Sequence, residues 1–166
     1  MHGRIRTLIV AAAGAALLLV GPMAGTVAAH DLDLDPGVAC TFGLGIDVGA
    51  QVGRSVWREW DDADGNPMKT LAAGTGGSLT FTNVASGATF STPSNGSVIS
   101  TRYLSDGSQV VTMTGHTILI MFPTDVPAGP STTLYIGRVV FTVDPALVAT
   151  IVSTAGRRVD ICAALN

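Results

Sequence analysis

The chain has 166 residues, 47% of them apolar and only 13% charged, with a formal net charge of −3. That length is one domain by the usual prior. An acidic balance without a basic run repels phosphate backbones, so nucleic acid is not an expected partner.

The first elements are targeting signals. Arg4 and Arg6 precede an uncharged apolar run over 8–21, and Val27-Ala28-Ala29 follows with small residues. This is the pattern of a cleaved signal peptide over 1–29, with the cut before His30 and export as the outcome. Pro22 interrupts the run before the roughly 20 residues that a membrane span needs. No later apolar run is long enough, so the mature form has no expected span. Segment 30–39 reads as a flexible acidic leader carrying Asp31, Asp33 and Asp35. Residues 40–166 read as a single all-β domain. Without the signal peptide the chain keeps seven Lys/Arg against twelve Asp/Glu, a net charge of −5.

Cys40 and Cys162 are the two cysteines. In an oxidising compartment an even count predicts a disulfide, here closing nearly the whole domain and setting the first strand beside the last. No Cys-x-x-Cys spacing suggests redox chemistry. The charged stretch ahead of Cys40 argues against lipidation.

Strand signals fill the rest. Residues 41–48 alternate, with Phe42, Leu44, Ile46 and Val48 on one face. Further strands are predicted over 55–60, 68–72, 78–84, 89–92, 98–104, 109–114, 116–122, 133–143, 147–153 and 158–162. Between them lie turn residues such as Asp64-Gly65, Ser86-Gly87, Asp106-Gly107 and Ala155-Gly156. Short links argue for antiparallel hairpins. The sequence therefore favours an antiparallel β-barrel, mostly up-and-down, of about 8–10 strands, since closure removes exposed edges. A two-sheet β-sandwich is the alternative. Strands 116–122 and 133–143 are apolar on both faces, where a half-exposed strand should alternate. A homo-oligomer covering them is one expectation.

Candidate chemistry is sparse. His116, with Asp125 across the Pro-rich loop, has the residue types of a base and its orienting acid, but no nucleophile elbow accompanies them. Glu59 could join a nearby aspartate as a glycosidase-type carboxylate pair. Asp61, Asp62 and Asp64 crowd one loop in the manner of oxygen ligands, yet their spacing fails the EF-hand pattern, and a solvated turn is the plainer reading. Trp57 and Trp60 differ in parity and should point to opposite faces, one to the core and one to the surface or a pocket. Arg102 and Arg138 lie in apolar strands. Either they hold an anionic ligand inside a barrel, or they lie on an outer face with their stems along apolar neighbours. No metal site and no cofactor is expected.

The stretch from Thr114-Gly115-His116 through Phe122-Pro123-Thr124-Asp125-Val126-Pro127 to Tyr135-Ile136-Gly137-Arg138, with Asp160-Ile161-Cys162 and Ser94-Asn95-Gly96-Ser97, resembles small secreted actinobacterial proteins of uncharacterised function. The resemblance implies export and β structure but assigns no activity. At the level of architecture the pattern is similar to lipocalin-like and allene-oxide-cyclase-like barrels, and fold alone does not fix function. The sequence thus leads to a secreted, non-enzymatic binding barrel for a small apolar ligand. The alternatives are a structural or interaction module at the cell surface, and a hydrolase or cyclase using His116.

Overall fold

The computed structural model describes residues 30–51, 53–93 and 95–166. The predicted signal peptide lies outside them. Ten strands and one short helix follow in order: β1 (Leu32–Leu34), β2 (Leu44–Gln51), β3 (Ser55–Asp61), β4 (Pro67–Thr75), β5 (Gly77–Asn83), β6 (Thr89–Thr92), β7 (Gly96–Tyr103), β8 (Gln109–Met121), β9 (Ser131–Val143), β10 (Ala149–Asp160) and α1 (Ile161–Ala164). They form two antiparallel sheets, β1-β2-β5-β6 and β10-β9-β8-β7-β4-β3. Neither sheet closes on itself, so the arrangement is two open sheets rather than one closed barrel.

Three runs of chain each contribute a strand to both sheets. β2 leads into β3, β4 into β5 across Gly76, and β6 into β7. Each run pairs with its sequence neighbour in both sheets. The short links expected from the turn residues are therefore present, but the sheet splits where these runs change direction. Above the split, the four-stranded sheet packs on one end of β8, β9 and β10. Below it, β3, β4 and β7 continue the larger sheet as a wing.

A line of small residues crosses the larger sheet at this level. The register places Ser55, Gly74, Ser97, Gly115, Gly137 and Gly156 side by side on six successive strands. At Gly115 and Gly156 the backbone has φ of 93° and 100°, a region that side chains rarely adopt. A Cβ on Gly115 would stand 2.3 Å from the Gly96 carbonyl oxygen, and one on Gly156 2.4 Å from that of Ile136. Gly115 therefore does not end a strand, as the sequence suggested. It bends one, and β8 runs unbroken through it.

The chain path requires that bend. The Val126 N–H donates to the Ala149 carbonyl at 2.8 Å, and the Val126 carbonyl accepts from the Ile151 N–H at 2.8 Å. Met121 lies at the opposite end of the ladder, near the end of β10, through Leu119↔Thr133 and Thr133↔Asp160. Ten residues of straight strand, Thr150 to Asp160, cover roughly 33 Å. The five residues from Met121 to Val126 reach at most about 18 Å. β8–β10 must curl, and the glycine line and the bulge between Ile151 and Ser153 are where they give.

Two cores result, one on each face of the curled strands. The first lies between the sheets and joins Leu44, Ile46 and Phe81 to Leu134, Ile118, Ile120 and Val159. The second fills the inside of the curl with Val111, Met113, Leu119, Met121, Tyr135, Val139 and Phe141. This explains why 116–122 and 133–143 are apolar on both faces. The chain itself covers both faces of 116–122 and of the upper part of 133–143, while below Gly137 the Arg138, Val140 and Thr142 side of β9 belongs to the outer side of the larger sheet. Burial raises the Tyr135 phenol above its ordinary pKa, against the opposing charge of Arg158, its cross-strand partner.

Cys40 and Cys162 form the expected disulfide, with Cα atoms 5.6 Å apart. It does not tie the first strand to the last. It joins the β1–β2 connection to α1, a helical turn that the sequence reading took as strand. Asp160 caps that turn by accepting from the Ala163 N–H at 2.9 Å, and Ile161 and Leu165 bury in the first core. Nearby, buried Thr132 donates to the Ala39 carbonyl at 3.0 Å, and Asn83 Nδ2 to that of Leu165 at 3.1 Å. The 30–39 segment is not a free leader either. Leu32–Leu34 pairs with β2, and His30 Nδ1 lies 2.9 Å from Asp47.

Candidate binding face

The predicted catalytic pair is not assembled. His116 pairs with Ile136 in the ladder and faces the first core, beside Leu79, Ile118 and Leu134. Asp125 belongs to the loop that closes the second core. It is buried, and its carboxylate accepts from the Phe122 N–H at 2.6 Å and the Ala149 N–H at 2.8 Å. One oxygen thus closes the loop on itself and the other ties it to β10, which gives this aspartate a structural task.

The acidic loop is likewise a turn. Asp62 accepts from the backbone amides of Asp64 and Asn66 and from the Asn66 side chain. The Asn66 bonds, backbone before side chain, hold its carboxyl below the ordinary carboxylate value. Asp61 and Asp64 are exposed beside it. Among the described residues no three His, Cys, Asp or Glu side chains come together as a metal-holding group. Glu59 is exposed on β3, in register with Thr70 and Thr101, which carry no second carboxylate.

The tryptophans point to opposite faces, as their parity requires. Neither enters a core: Trp57 is 64% exposed and Trp60 43%. Trp57 stands in register with Ala72 and Ile99, on the face of the second core. Trp60 stands with Lys69 and Arg102 on the other, outer face. Arg102 and Arg138 are exposed on that outer face, so neither lies in an interior cavity.

The outer face gathers what the sequence scatters. Along β7, Ser97, Ile99 and Thr101 are buried, while Val98 and Arg102 are exposed and Ser100 half-buried. Period-two alternation then fixes its neighbours through the register. One row reads Val56–Ala73–Val98–Thr114–Arg138. The next is Arg58–Leu71–Ser100–Thr112–Val140, and the third Trp60–Lys69–Arg102–Val110–Thr142. Four cations, Arg58, Lys69, Arg102 and Arg138, therefore share one face, and no carboxylate stands on it in any of these rows. Arg54 joins them at an open groove of about 430 Å³ near the glycine line, beside Ser97, Val98 and Thr114.

Acids do lie near, in the turns at the lower end of the wing: Asp61, opposite Pro67, and Asp64 are exposed there, while the other three have engaged oxygens. Asp62 holds its own turn. Asp106 accepts from the Ser108 N–H and hydroxyl, which lower its pKa, side-chain bond first. Asp144 accepts from the Val148 N–H at 2.9 Å. Among the described residues no Lys or Arg comes within 4 Å of a carboxylate; the one basic side chain that does is His30, against Asp47 of the other sheet. The Lys69 ammonium instead sits 5.2 Å from the Trp60 ring centroid, a cation–π contact worth roughly 0.5–1 kcal/mol at an exposed site.

No family model, curated protein or solved structure matches the chain. The face must be read from its own chemistry. Among the described residues no helix is long and apolar enough to cross a membrane.

Proposed function

We propose that this chain is an exported, non-enzymatic interaction module that takes its partner on the outer face of β3, β4, β7, β8 and β9. The observation that carries this reading is a sheet face, open over β3, β4 and β7, where exposed Val56, Trp60 and Val98 lie among cations that have no carboxylate within 4 Å among the described residues. A contiguous apolar and charged surface of this kind marks a binding site more often than it marks inert surface. Export is supported by the leader sequence, by the resemblance to small secreted actinobacterial proteins, and by a disulfide, which persists in oxidising compartments.

The reading replaces a small apolar ligand held inside the fold. Pockets for such ligands run to roughly 300–1,000 Å³ and are largely enclosed. Here the interior is filled by two cores, and the hollow between the sheets beside His116 holds about 20 Å³.

Hydroxyl-radical footprinting of the full chain, with and without the polymer and protein fractions of its own culture medium and cell envelope, tests the proposal. Protection concentrated on β3, β4 and β7 is expected. Protection confined to the four-stranded sheet, or none, overturns it. N-terminal sequencing of the secreted form should begin at His30.

A further inference from the structure

We propose that the partner is an anionic polysaccharide lying across the strands of the outer face. This rests on the reading of that face as the binding surface and adds the chemistry of its occupant.

Charge complementarity carries the inference. Residues 30–166 are acidic, with seven Lys/Arg against twelve Asp/Glu, so the protein as a whole repels polyanions. Yet Arg58, Lys69, Arg102 and Arg138 share one face. Lys69 and Arg102 are direct register partners. Like charges directly opposite destabilise a sheet, and a bound anion between them turns that cost into an attraction. From β3 to β9 is four strand steps, roughly 19 Å at 4.7–4.9 Å each. One small anion cannot reach across that span, whereas a chain with a charge on successive units can. Guanidinium forks suit carboxylate and sulfate oxygens, which they grip with two parallel bonds.

The remaining side chains favour sugar over the other polyanions. The Ser100, Thr112 and Thr142 hydroxyls lie among the cations and match a hydroxyl-rich partner. Trp60 offers one indole face, enough for one ring. A single-stranded nucleic acid stacks successive bases on several aromatics, and Trp57, the second indole, points to the opposite face. An anionic lipid surface would have to meet exposed Asp61 and Asp64, at the end of β3 next to Trp60. A narrow polymer can cross along the Arg58 row and reach Trp60 from above, leaving Asp61 at its edge.

Binding of the full chain to dextran sulfate and to polygalacturonate, with uncharged dextran as the control, tests the inference. We expect binding to the two anionic polymers only, weakening about tenfold or more between roughly 20 and 200 mM salt as counterions compete. Arg102→Ser should weaken it about three- to tenfold, and Arg58→Ser with Arg102→Ser further. Arg158→Ser, on the opposite face, should leave it within about twofold. Each substitution is at an exposed site, and unchanged circular dichroism checks the fold. Equal binding to uncharged dextran, an equal loss from Arg158→Ser, or tighter binding to an oligonucleotide or a phosphatidylglycerol vesicle overturns the inference. If another partner protects the outer face while the anionic glycans do not bind, the anionic occupant fails and the interaction face stands. If nothing protects that face, both fail.

Discussion

Replacing Gly115 with alanine tests whether the glycine line is what lets the larger sheet bend. Two costs arise. The first is conformational: an alanine at φ near 93° loses roughly 1–2 kcal/mol to its own backbone, offset by about 0.4–1 kcal/mol from a stiffer unfolded chain. The second is steric: the new Cβ would stand 2.3 Å from the Gly96 carbonyl oxygen and 3.1 Å from the Ser97 Cα. A comfortable carbon contact needs about 3.5 Å, so β7 and β8 must separate by roughly 1 Å, which costs one or two ladder hydrogen bonds at about 1 kcal/mol each. The sum is about 1–4 kcal/mol. Gly87→Ala supplies the control, because Gly87 has φ of 75° in a turn and open space around it. It carries only the first cost, about 1 kcal/mol or less after the offset. Urea unfolding of both variants, compared at constant m, reads the difference directly. Gly137→Ala and Gly156→Ala extend the test, since each added Cβ meets the other's Cα at 3.0 Å. Strands already forced apart by one pay less for the second, so the double variant should cost less than the two singles together. If Gly115→Ala falls within about 0.5 kcal/mol of Gly87→Ala, the close approach at the bend is not what requires glycine.

Three other expectations follow from single contacts. Asp125→Ala leaves the Phe122 and Ala149 amides without their acceptors and should cost about 2–4 kcal/mol in urea unfolding; Asp125→Asn, with one acceptor oxygen in place of two, should fall between it and the parent. Reducing the Cys40–Cys162 bond, 122 residues apart in sequence, should remove about 5 kcal/mol on the chain-entropy account, read as the melting temperature with and without reductant. The lowered pKa of Asp62 stabilises its turn above the unfolded value and ceases to do so as pH falls through the lower folded one, so amide exchange at Asn66 should accelerate on acidification below about pH 3.8 and lose that dependence in Asp62→Ala.

Strand content was legible because burial on one face leaves a period of two in the residues themselves. β7 shows it directly, with Ser97, Ile99 and Thr101 inside. The doubly apolar strands were legible as apolar on both faces, and over 116–122 and the upper part of 133–143 the cover comes from the chain's own two cores. What hid the split into two sheets is that Gly76 and Gly77 look like any turn glycines, although the chain passes there from β4 in one sheet to β5 in the other instead of folding back on itself. β1 was missed because its three residues are held by pairing with β2 and by His30 against Asp47, contacts that no local pattern announces. α1 was missed because four residues are too few to show a helical period.

The binding face was illegible for a different reason. Parity within one strand is available from sequence, and it places Val56, Arg58 and Trp60 on one side of β3. Bringing Lys69, Arg102 and Arg138 to that same side requires the register of four further pairings, each of which inverts the face if it slips by one residue. A chain that is acidic by count can thus carry a cationic face. The acids do not cancel it because three of the nearest, Asp62, Asp106 and Asp144, spend their oxygens on turn amides. That division has a consequence for titration. Protonating Asp62 and Asp106, whose carboxyls these bonds hold below the ordinary value, removes the acceptors of their turn amides and loosens those two turns at low pH.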